Sequence, residues 1–504
     1  MQTDSLLKAV RLHVKIKSMK YFLPRFQHIF FLSVFFGGIL LGNQMLSIDS
    51  DLGRHLTIGN YILEHHKIPT VDIFSHTKND VSRPPYEWLT QVLFAAANRI
   101  LGLDGVVLLT ALVIEIAFTL VYIEATRRSG WPLTAIFLSI LATFAGSIHW
   151  LPRPHIFTFL LLAIWLERLE RLWQGENVSL WHFPLIMLLW ANMHGGFIFG
   201  ILAWIAYFSG WIVDHWFRKD AVTDGAGKKF ILIGALSLIA SCITPDGWGN
   251  WQAVMGNSSV YILSQTIETM PPDFREPGIY PFLIFLLMAG LVLVKNKFHL
   301  PTSQLFLLAG FAALSFLMAR NIPLFVLSAT PILAASSQKA LRSIPIWAGI
   351  ETNLNAIERS LKGYVYPIAG ILIVSLLFLR HYAQMQSTIN KFDERVFPVM
   401  AANWLREHPQ SGNMFNEFNW GGYLLYRLWP SQRVFMDSQT DFYGEGLTRE
   451  YEKVITASKG WQDVLEKYNI KWVIISSHSP LIDKLSEAGW RKSYSDTTTI
   501  ILEK

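Results

Sequence analysis

Apolar runs long enough to cross a bilayer recur from about residue 27 to about residue 380, separated by short polar turns. At about 1.5 Å of rise per helical residue, a hydrocarbon core needs about 20 such positions. The pattern predicts spans near 27–46, 104–126, 131–150, 154–171, 180–194, 196–217, 229–245, 279–295, 302–319, 321–337 and 363–380, about eleven in all. Its first long polar interruption, Ser47 to Trp88, opens with Asp49-Ser50-Asp51. Within it, Leu52, Leu56, Ile62 and Leu63 fall on one side of an amphipathic helix over about 52 to 66, with His55 and His66 at its border and Pro69 beyond its end. A second amphipathic segment covers 86–102, where Glu87, Gln91 and Asn98 recur at intervals of four and seven and share one face. It reads as a helix lying in the outer interface.

From about 385 the periodicities change. Short β-rich runs, VFMD at 434–437, WVIIS at 472–476 and TTIIL at 498–502, alternate with helical patterns near 396–408, 446–456, 460–468 and 479–488. The expected fold is a polytopic α-helical membrane protein with about eleven transmembrane helices and a small C-terminal α/β domain. Its parts are a basic tail over 1–26, a transmembrane domain over 27–384 with an outer loop over 47–103, and a soluble domain over 385–504.

Charge orients this arrangement. The tail carries Lys8, Arg11, Lys15, Lys17, Lys20 and Arg25 against Asp4 and is expected to stay in the cytoplasm as part of a retained anchor, since no small-residue cleavage site follows the first apolar run. Inner loops then receive Arg127, Arg128, Arg168, Arg171, Arg218, Lys219, Lys228, Lys229, Lys295, Lys297, Lys339, Arg342, Arg359 and Lys362, and outer turns little beyond Arg153, Arg275 and Arg320. The expected location is the inner cell membrane, with the C-terminal domain outside the cytoplasm. The chain has 504 residues, 52% hydrophobic and 16% charged, so its net charge of +6 reads as topology and excludes a nucleic-acid partner. With Cys242 alone, no intrachain disulfide forms. No repeat and no phosphate-binding glycine loop with its lysine is present, which weighs against an ATP-driven pump.

The candidate chemistry gathers at the outer ends of spans. Asp49 and Asp51 can share a divalent cation, or one can act as general base while the other tunes it; Ser50 or Asp51 capping the following helix is the plainer alternative. Arg153-Pro154-His155 opens one span, Asn192-Met193-His194-Gly195-Gly196 joins two, and Arg320-Asn321-Ile322-Pro323 joins two more. Together they surround an outward cavity with cations that suit an anionic leaving group, although each taken alone also reads as a snorkelling arginine or a hydrogen-bonded histidine. Glu87-Trp88, after Pro84-Pro85-Tyr86, supplies a carboxylate and a ring that stacks on a sugar or anchors the helix. The outer loop also holds Asp72, His76 and Asp80, and a second outer loop, about 246 to 278, holds Trp248, Trp251, Glu268 and Arg275. In the soluble domain, Asp437 and Asp441 read as turn caps or ligand contacts. Glu115, mid-span, is paired or marks an ion path, and it is the main argument for the alternative of a transporter or flippase of lipid-linked or charged substrates. A non-catalytic envelope scaffold is the weaker third reading.

The order of basic tail, one span, outer loop with an early Asp, a helix beginning near PPYEWL and a span ending in paired arginines resembles the GT-C superfamily of membrane glycosyltransferases, which includes protein O-mannosyltransferases, oligosaccharyltransferases and lipid A aminoarabinose transferases. DSDLGRHLTIGNYILEHHKIPTVDIFS, PYEWL, RPHIFTFLLL, ANMHGGFIFG, NEFNWGGYLLYRL and RVFMDSQTDFYG carry the likeness more closely to a bacterial GT-C-like group. The resemblance implies a hexosyl- or pentosyltransferase taking its sugar from a polyprenyl-phosphate donor in the membrane and passing it to a glycan, lipid or protein acceptor outside, with inversion. Asp51, or Asp49, would be the first-loop base. His55, Glu87, Trp88, Arg153, His155, Asn192, His194, Arg320 and Asn321 are the candidate substrate contacts. A divalent metal, Mg or Mn, is left open, with Asp49 and Asp51 as its ligands if one binds. Arg54 departs from the pattern, standing where related sequences often carry an aromatic residue.

Overall fold

The computed structural model describes residues 22–218, 226–256, 260–264 and 266–504. The tail residues Asp4, Lys8, Arg11, Lys15, Lys17 and Lys20, and Lys219 of an expected inner loop, lie outside them. Each of the eleven predicted segments coincides with a helix. Among the described residues, six helices are by themselves long and apolar enough to cross a membrane, seven if Phe26–Leu40 and Gly42–Ile48, bent by 54°, form one span; His182–Met193 and Thr302–Leu317 are shorter apolar helices. His155–Trp173 falls short because Glu167, Arg168, Glu170 and Arg171 crowd its last turns, and Ala226–Ser241 because it has only 16 residues. The chain is thus a mostly helical multi-pass membrane protein with a small C-terminal sheet.

The segment over 86–102 is the first part of a run from Trp88 to Ser129, broken at Leu101 and Gly102. Gly102 has φ +60 and ψ −149, a conformation closed to residues with a Cβ. This break keeps the polar-faced rod separate from the span after it. Ile322–Leu341 is the central column of the bundle, with every residue from Ile322 to Ala334 buried. Helices not expected from the pattern include Gly249–Met255, Gly421–Leu428 and Pro345–Ser360; the single buried residue of the last, Glu351, caps the helix Pro132–Gly146 by accepting the amides of Leu133 at 3.0 Å and Thr134 at 2.8 Å.

The C-terminal sheet has four strands, β1 (Asn413–Asn416), β2 (Ile470–Ser476), β3 (Arg491–Ser495) and β4 (Thr499–Glu503), in the order β1-β2-β4-β3. β1 is parallel to β2 and the other pairs are antiparallel. Two expectations are corrected here. VFMD at 434–437 is not a strand; Val434 makes one bridge to Ser75, and its amide and carbonyl bond Phe74 and His76 of the first outer loop. Its apolar side chains are buried in a junction between the two domains, which local composition cannot distinguish from burial in a sheet. β1 and β3 escaped notice because one is four residues long and the other, RKSYS, is a polar edge.

The helix Leu52–His65 is also not the half-exposed element its pattern suggests: Leu52 through Gly59 are all buried, His55 included. The cause is the helix Gly421–Leu428, whose Leu424 and Leu425 join Leu52 and Leu56 in the main hydrophobic core. The two helices meet backbone to backbone. A Cβ on Gly53 would lie 2.3 Å from the Gly422 carbonyl oxygen, and one on Gly422 would lie 2.4 Å from that of Ser50. Gly53→Ala is therefore expected to destabilise the protein by about 1–3 kcal/mol, as overpacking does where neither backbone can yield; a melting temperature equal to that of the unaltered protein would contradict the close approach. A second staple is Asp104, which accepts the amides of Ile389 and Asn390 at 2.8 Å each.

Candidate active site

The turn between Ile48 and Leu52 delivers two carboxylates to one guanidinium. Asp49 ends the first bent helix and Asp51 precedes the helix Leu52–His65. Asp49 Oδ1 accepts from the Asp51 amide at 2.8 Å and from Arg153 Nε at 2.8 Å. Asp51 Oδ2 lies 3.1 Å from Arg153 Nη1, while Oδ1 lies 3.1 Å from Arg54 Nη2 and accepts the Ser438 hydroxyl of the C-terminal domain. Arg153 Nη1 also donates to Glu268 of the second outer loop at 3.1 Å. Three carboxylates, two from this turn and one from a distant loop, thus converge on Arg153.

These contacts separate the two aspartates electrostatically. Asp49 is fully buried, and burial raises its pKa to about 6 against the opposing pull of Arg153; its Oδ2 has no hydrogen-bond partner. Burial acts on Asp51 as well, but Arg153 and then Arg54 outweigh it and hold the carboxyl well below its usual range. Asp51 keeps 14% of its side-chain surface. It is the more exposed of the two.

Arg54 extends the network. Besides Asp51, it faces Glu87 at 3.7 Å, Asp437 at 3.8 Å and Gln439 at 3.3 Å. Arg83 completes it, with Nη1 on Asp72 at 2.6 Å, Nη2 on Asp437 at 3.1 Å and Gln439 at 2.6 Å, and its plane 4.7 Å from the Phe442 ring. Asp72 and Asp437 are both fully buried. Burial pushes Glu87 up to about 7 despite Arg54, and burial, then Arg54, push His55 well below its ordinary value. A small cleft, open to solvent, lies between Arg54, Arg83 and Glu87 and an apolar wall of Ile58, Ile62, Ile68 and Phe74, with Tyr86 and Gln439 at its side.

Several of the candidate substrate contacts are bonded within the protein. Trp88 Nε1 donates to Asn192 Oδ1 at 2.8 Å, and Asn192 Nδ2 donates to the carbonyls of Leu188 and Ile243 at 2.9 Å each, so this pair ties the rod over 86–102 to the helix His182–Met193. His55 is buried 3.8 Å behind Glu87. Asn321 is buried with Nδ2 on the Leu314 carbonyl at 3.0 Å. His155 stacks on His149 with centroids 4.0 Å apart and bonds its carbonyl at 2.8 Å. His194 Nδ1 accepts from the Gly196 amide at 3.0 Å and pairs with the Thr158 hydroxyl at 2.8 Å, which leaves Nε2 for another partner. Arg320 is exposed, makes no hydrogen bond or ion pair among the described residues, and is close enough to act electrostatically on both His149 and His194. Asp49, Asp51, Arg153, His194 and Arg320 all lie at the end of the bundle that bears the C-terminal domain. The residues that sequence reasoning gave no role in the site are Ser438, Gln439, Arg83, Asp72 and Glu268; their signal was the unusual concentration of polar residues in RVFMDSQTDFYG and in the loop before Pro84-Pro85.

The carboxylates Asp49, Asp51 and Glu268 are the donor set a divalent ion would want, but the space they share is filled by the Arg153 side chain. Among the described residues no group of three His, Cys, Asp or Glu is arranged to hold a metal ion. Glu115, at the middle of its span, accepts the Thr119 hydroxyl one turn away; among the described residues its second oxygen has no partner and no cation pairs with it. A further buried ionic cluster within the bundle, Glu170 with Arg128, Tyr207 and Gln304, is at the opposite end from Asp49.

No protein-family model and no curated protein sequence matches the chain. Solved structures do. The apo oligosaccharyltransferase of Archaeoglobus fulgidus superposes with a TM-score of 0.59 at 12% identity, covering 88% of this chain and 69% of that one. The oligosaccharyltransferase AglB from Archaeoglobus fulgidus, in complex with an inhibitory peptide and a dolichol-phosphate, gives 0.54 at 12% identity over the same shares. Apo ArnT from Cupriavidus metallidurans gives 0.50 at 13% identity, covering 94% of this chain and 97% of that one.

Proposed function

This chain has the fold of GT-C membrane glycosyltransferases, and from that premise we propose that it is one, moving a sugar from a polyprenyl-phosphate donor supplied by the bilayer to a hydroxyl acceptor on the side that bears the C-terminal domain. The observation that carries the proposal is the convergence of two first-loop carboxylates on Arg153, together with an arginine, Arg320, that pairs with no anion among the described residues. The dolichol-phosphate held by the Archaeoglobus protein supports a lipid-linked donor here.

In the proposed displacement the acceptor oxygen bonds to the anomeric carbon as the bond from that carbon to the phosphate oxygen breaks; the acceptor proton passes to Asp51 and the lipid phosphate leaves with the bonding electrons. A carboxylate offers about four lone-pair positions, and Arg54, Ser438 and Arg153 engage three of those on Asp51. The remaining one, on Oδ2, is left for the acceptor proton. Held anionic by its arginines, Asp51 is a weak base, which suits a proton transferred late, when the attacking oxygen has already become acidic. Arg153 and Arg54 are neutralised by their carboxylates and position Asp51. Arg320, with His194 Nε2 beside it, is left to meet the negative charge that grows on the departing phosphate, so it binds the transition state more tightly than the ground state.

The direct test is purified full-length protein incubated with radiolabelled polyprenyl-phosphate sugars and cell-envelope extract. Labelled product supports the reading; donor flipped across the bilayer without transfer overturns it in favour of a flippase. Arg320→Ala is expected to reduce transfer by about 10²-fold with an unchanged melting temperature, since the side chain is exposed and unpaired. A normal rate would remove Arg320 from the leaving-group side.

The titration of Asp49 sets a pH limb. Ionised Asp49 holds Arg153 against Asp51, so transfer is expected to rise between pH 5 and 7 about a midpoint near 6, where Asp49 loses its proton, and Asn at position 49 is expected to abolish that limb. Stability moves the other way. Between the ordinary value of 3.8 and about 6 the folded chain holds a proton that the unfolded chain has lost, so stability falls as pH rises across that window.

A further inference from the structure

We infer that Arg153 is the resident cation of this vestibule, occupying the place where a divalent ion would bind, so that the native site takes no metal. Nε reaches Asp49 Oδ1 at 2.8 Å, and Nη1 reaches Asp51 Oδ2 and Glu268 Oε1 at 3.1 Å each. A divalent ion needs such oxygens at about 2.0–2.6 Å from one point. Here that point lies among the nitrogens of a planar, permanently charged group, which both fills the volume and repels a second cation. The fit is specific to arginine. Its fork presents several donors at fixed angles, and the three carboxylates come from two segments, the Asp49-Ser50-Asp51 turn and the loop of Glu268, with Asp49 and Glu268 104 and 115 positions from Arg153. His149 closes the remaining side, with Nδ1 at 3.6 Å from the second Glu268 oxygen.

The arrangement also explains why three acids stay together without a metal. Together they carry more negative charge than one guanidinium cancels, and the excess is met by Arg54, 3.1 Å from Asp51. Removing the Arg153 side chain would leave a cleft lined by three convergent carboxylates and a histidine, a ligand set that suits Mn²⁺.

The inference does not depend on the reaction class, because it is read by metal binding without any donor. The experiment is an electron paramagnetic resonance titration of the purified full-length protein with Mn²⁺, paired with melting curves in Mn²⁺ or chelator. The expected result is no saturable Mn²⁺ site in the native protein and a melting temperature indifferent to either addition. Arg153→Ala is expected to gain one saturable site and an upward shift in melting temperature with Mn²⁺, both lost again when Glu268→Gln is added. A native protein that binds one Mn²⁺ and releases it on Asp49→Asn overturns the inference, whatever Arg153→Ala does. So does an Arg153→Ala protein that melts like the native one yet takes up no Mn²⁺.

Discussion

Asp51→Asn is expected to lower sugar transfer by about 10³-fold or more, within the range a positioned general base contributes, in membranes that keep normal protein levels. The substitution preserves shape and removes charge. Arg54 loses its nearest carboxylate, since its other two, Glu87 and Asp437, stand at 3.7 and 3.8 Å. Arg153 keeps Asp49 and Glu268, so the fold around it is retained while the proton acceptor is gone. Asp49 cannot substitute, being fully buried behind Asp51. Transfer rates with isolated polyprenyl-phosphate sugars measure the effect; near-native turnover would take Asp51 out of the mechanism.

The largest structural effect is expected from Arg83→Ala. This side chain is the partner of two carboxylates with no exposed surface, Asp72 at 2.6 Å and Asp437 at 3.1 Å, and it bonds Gln439 with two nitrogens. Removing one member of a buried ion network leaves uncompensated charge and costs about 3–5 kcal/mol. Because Asp72 belongs to the first outer loop and Asp437 to the C-terminal domain, the loss is expected to appear as release of that domain. Proteolysis within 433–444, absent in the native protein, and a lowered melting temperature would report it. Arg83→Lys keeps the charge but not the fork, so partial protection is expected. A native melting curve for Arg83→Ala would mean that the docking is held by packing alone.

The bundle was legible because a bilayer imposes a crude requirement: each of the eleven apolar runs had to become a helix. Asp49, Asp51 and Arg153 were legible for a related reason, since charges placed at the ends of spans stand out against their surroundings. The Arg83 network was not. Arg83 and Asp437 are 354 positions apart, and no periodicity connects them. RVFMDSQTDFYG attracted notice, yet its apolar half was read as a strand because burial against another domain and burial in a sheet select the same side chains. Trp88 and Asn192 illustrate the opposite error: both are polar groups at the mouth of the bundle, and they are occupied with each other. Arg54 was visible only as a departure from a pattern, and its partners explain it, since an aromatic ring there could not face Asp51, Glu87 and Asp437 together.

The contact of Gly53 with Gly422 leaves no room for even a methyl group between the first outer loop and the C-terminal domain. Exchange of this tail between related proteins is consequently constrained as a graft is, by the surface of the host: a transplanted domain would have to arrive with the loop it was shaped against, and the two segments are bound to change in step over evolutionary time.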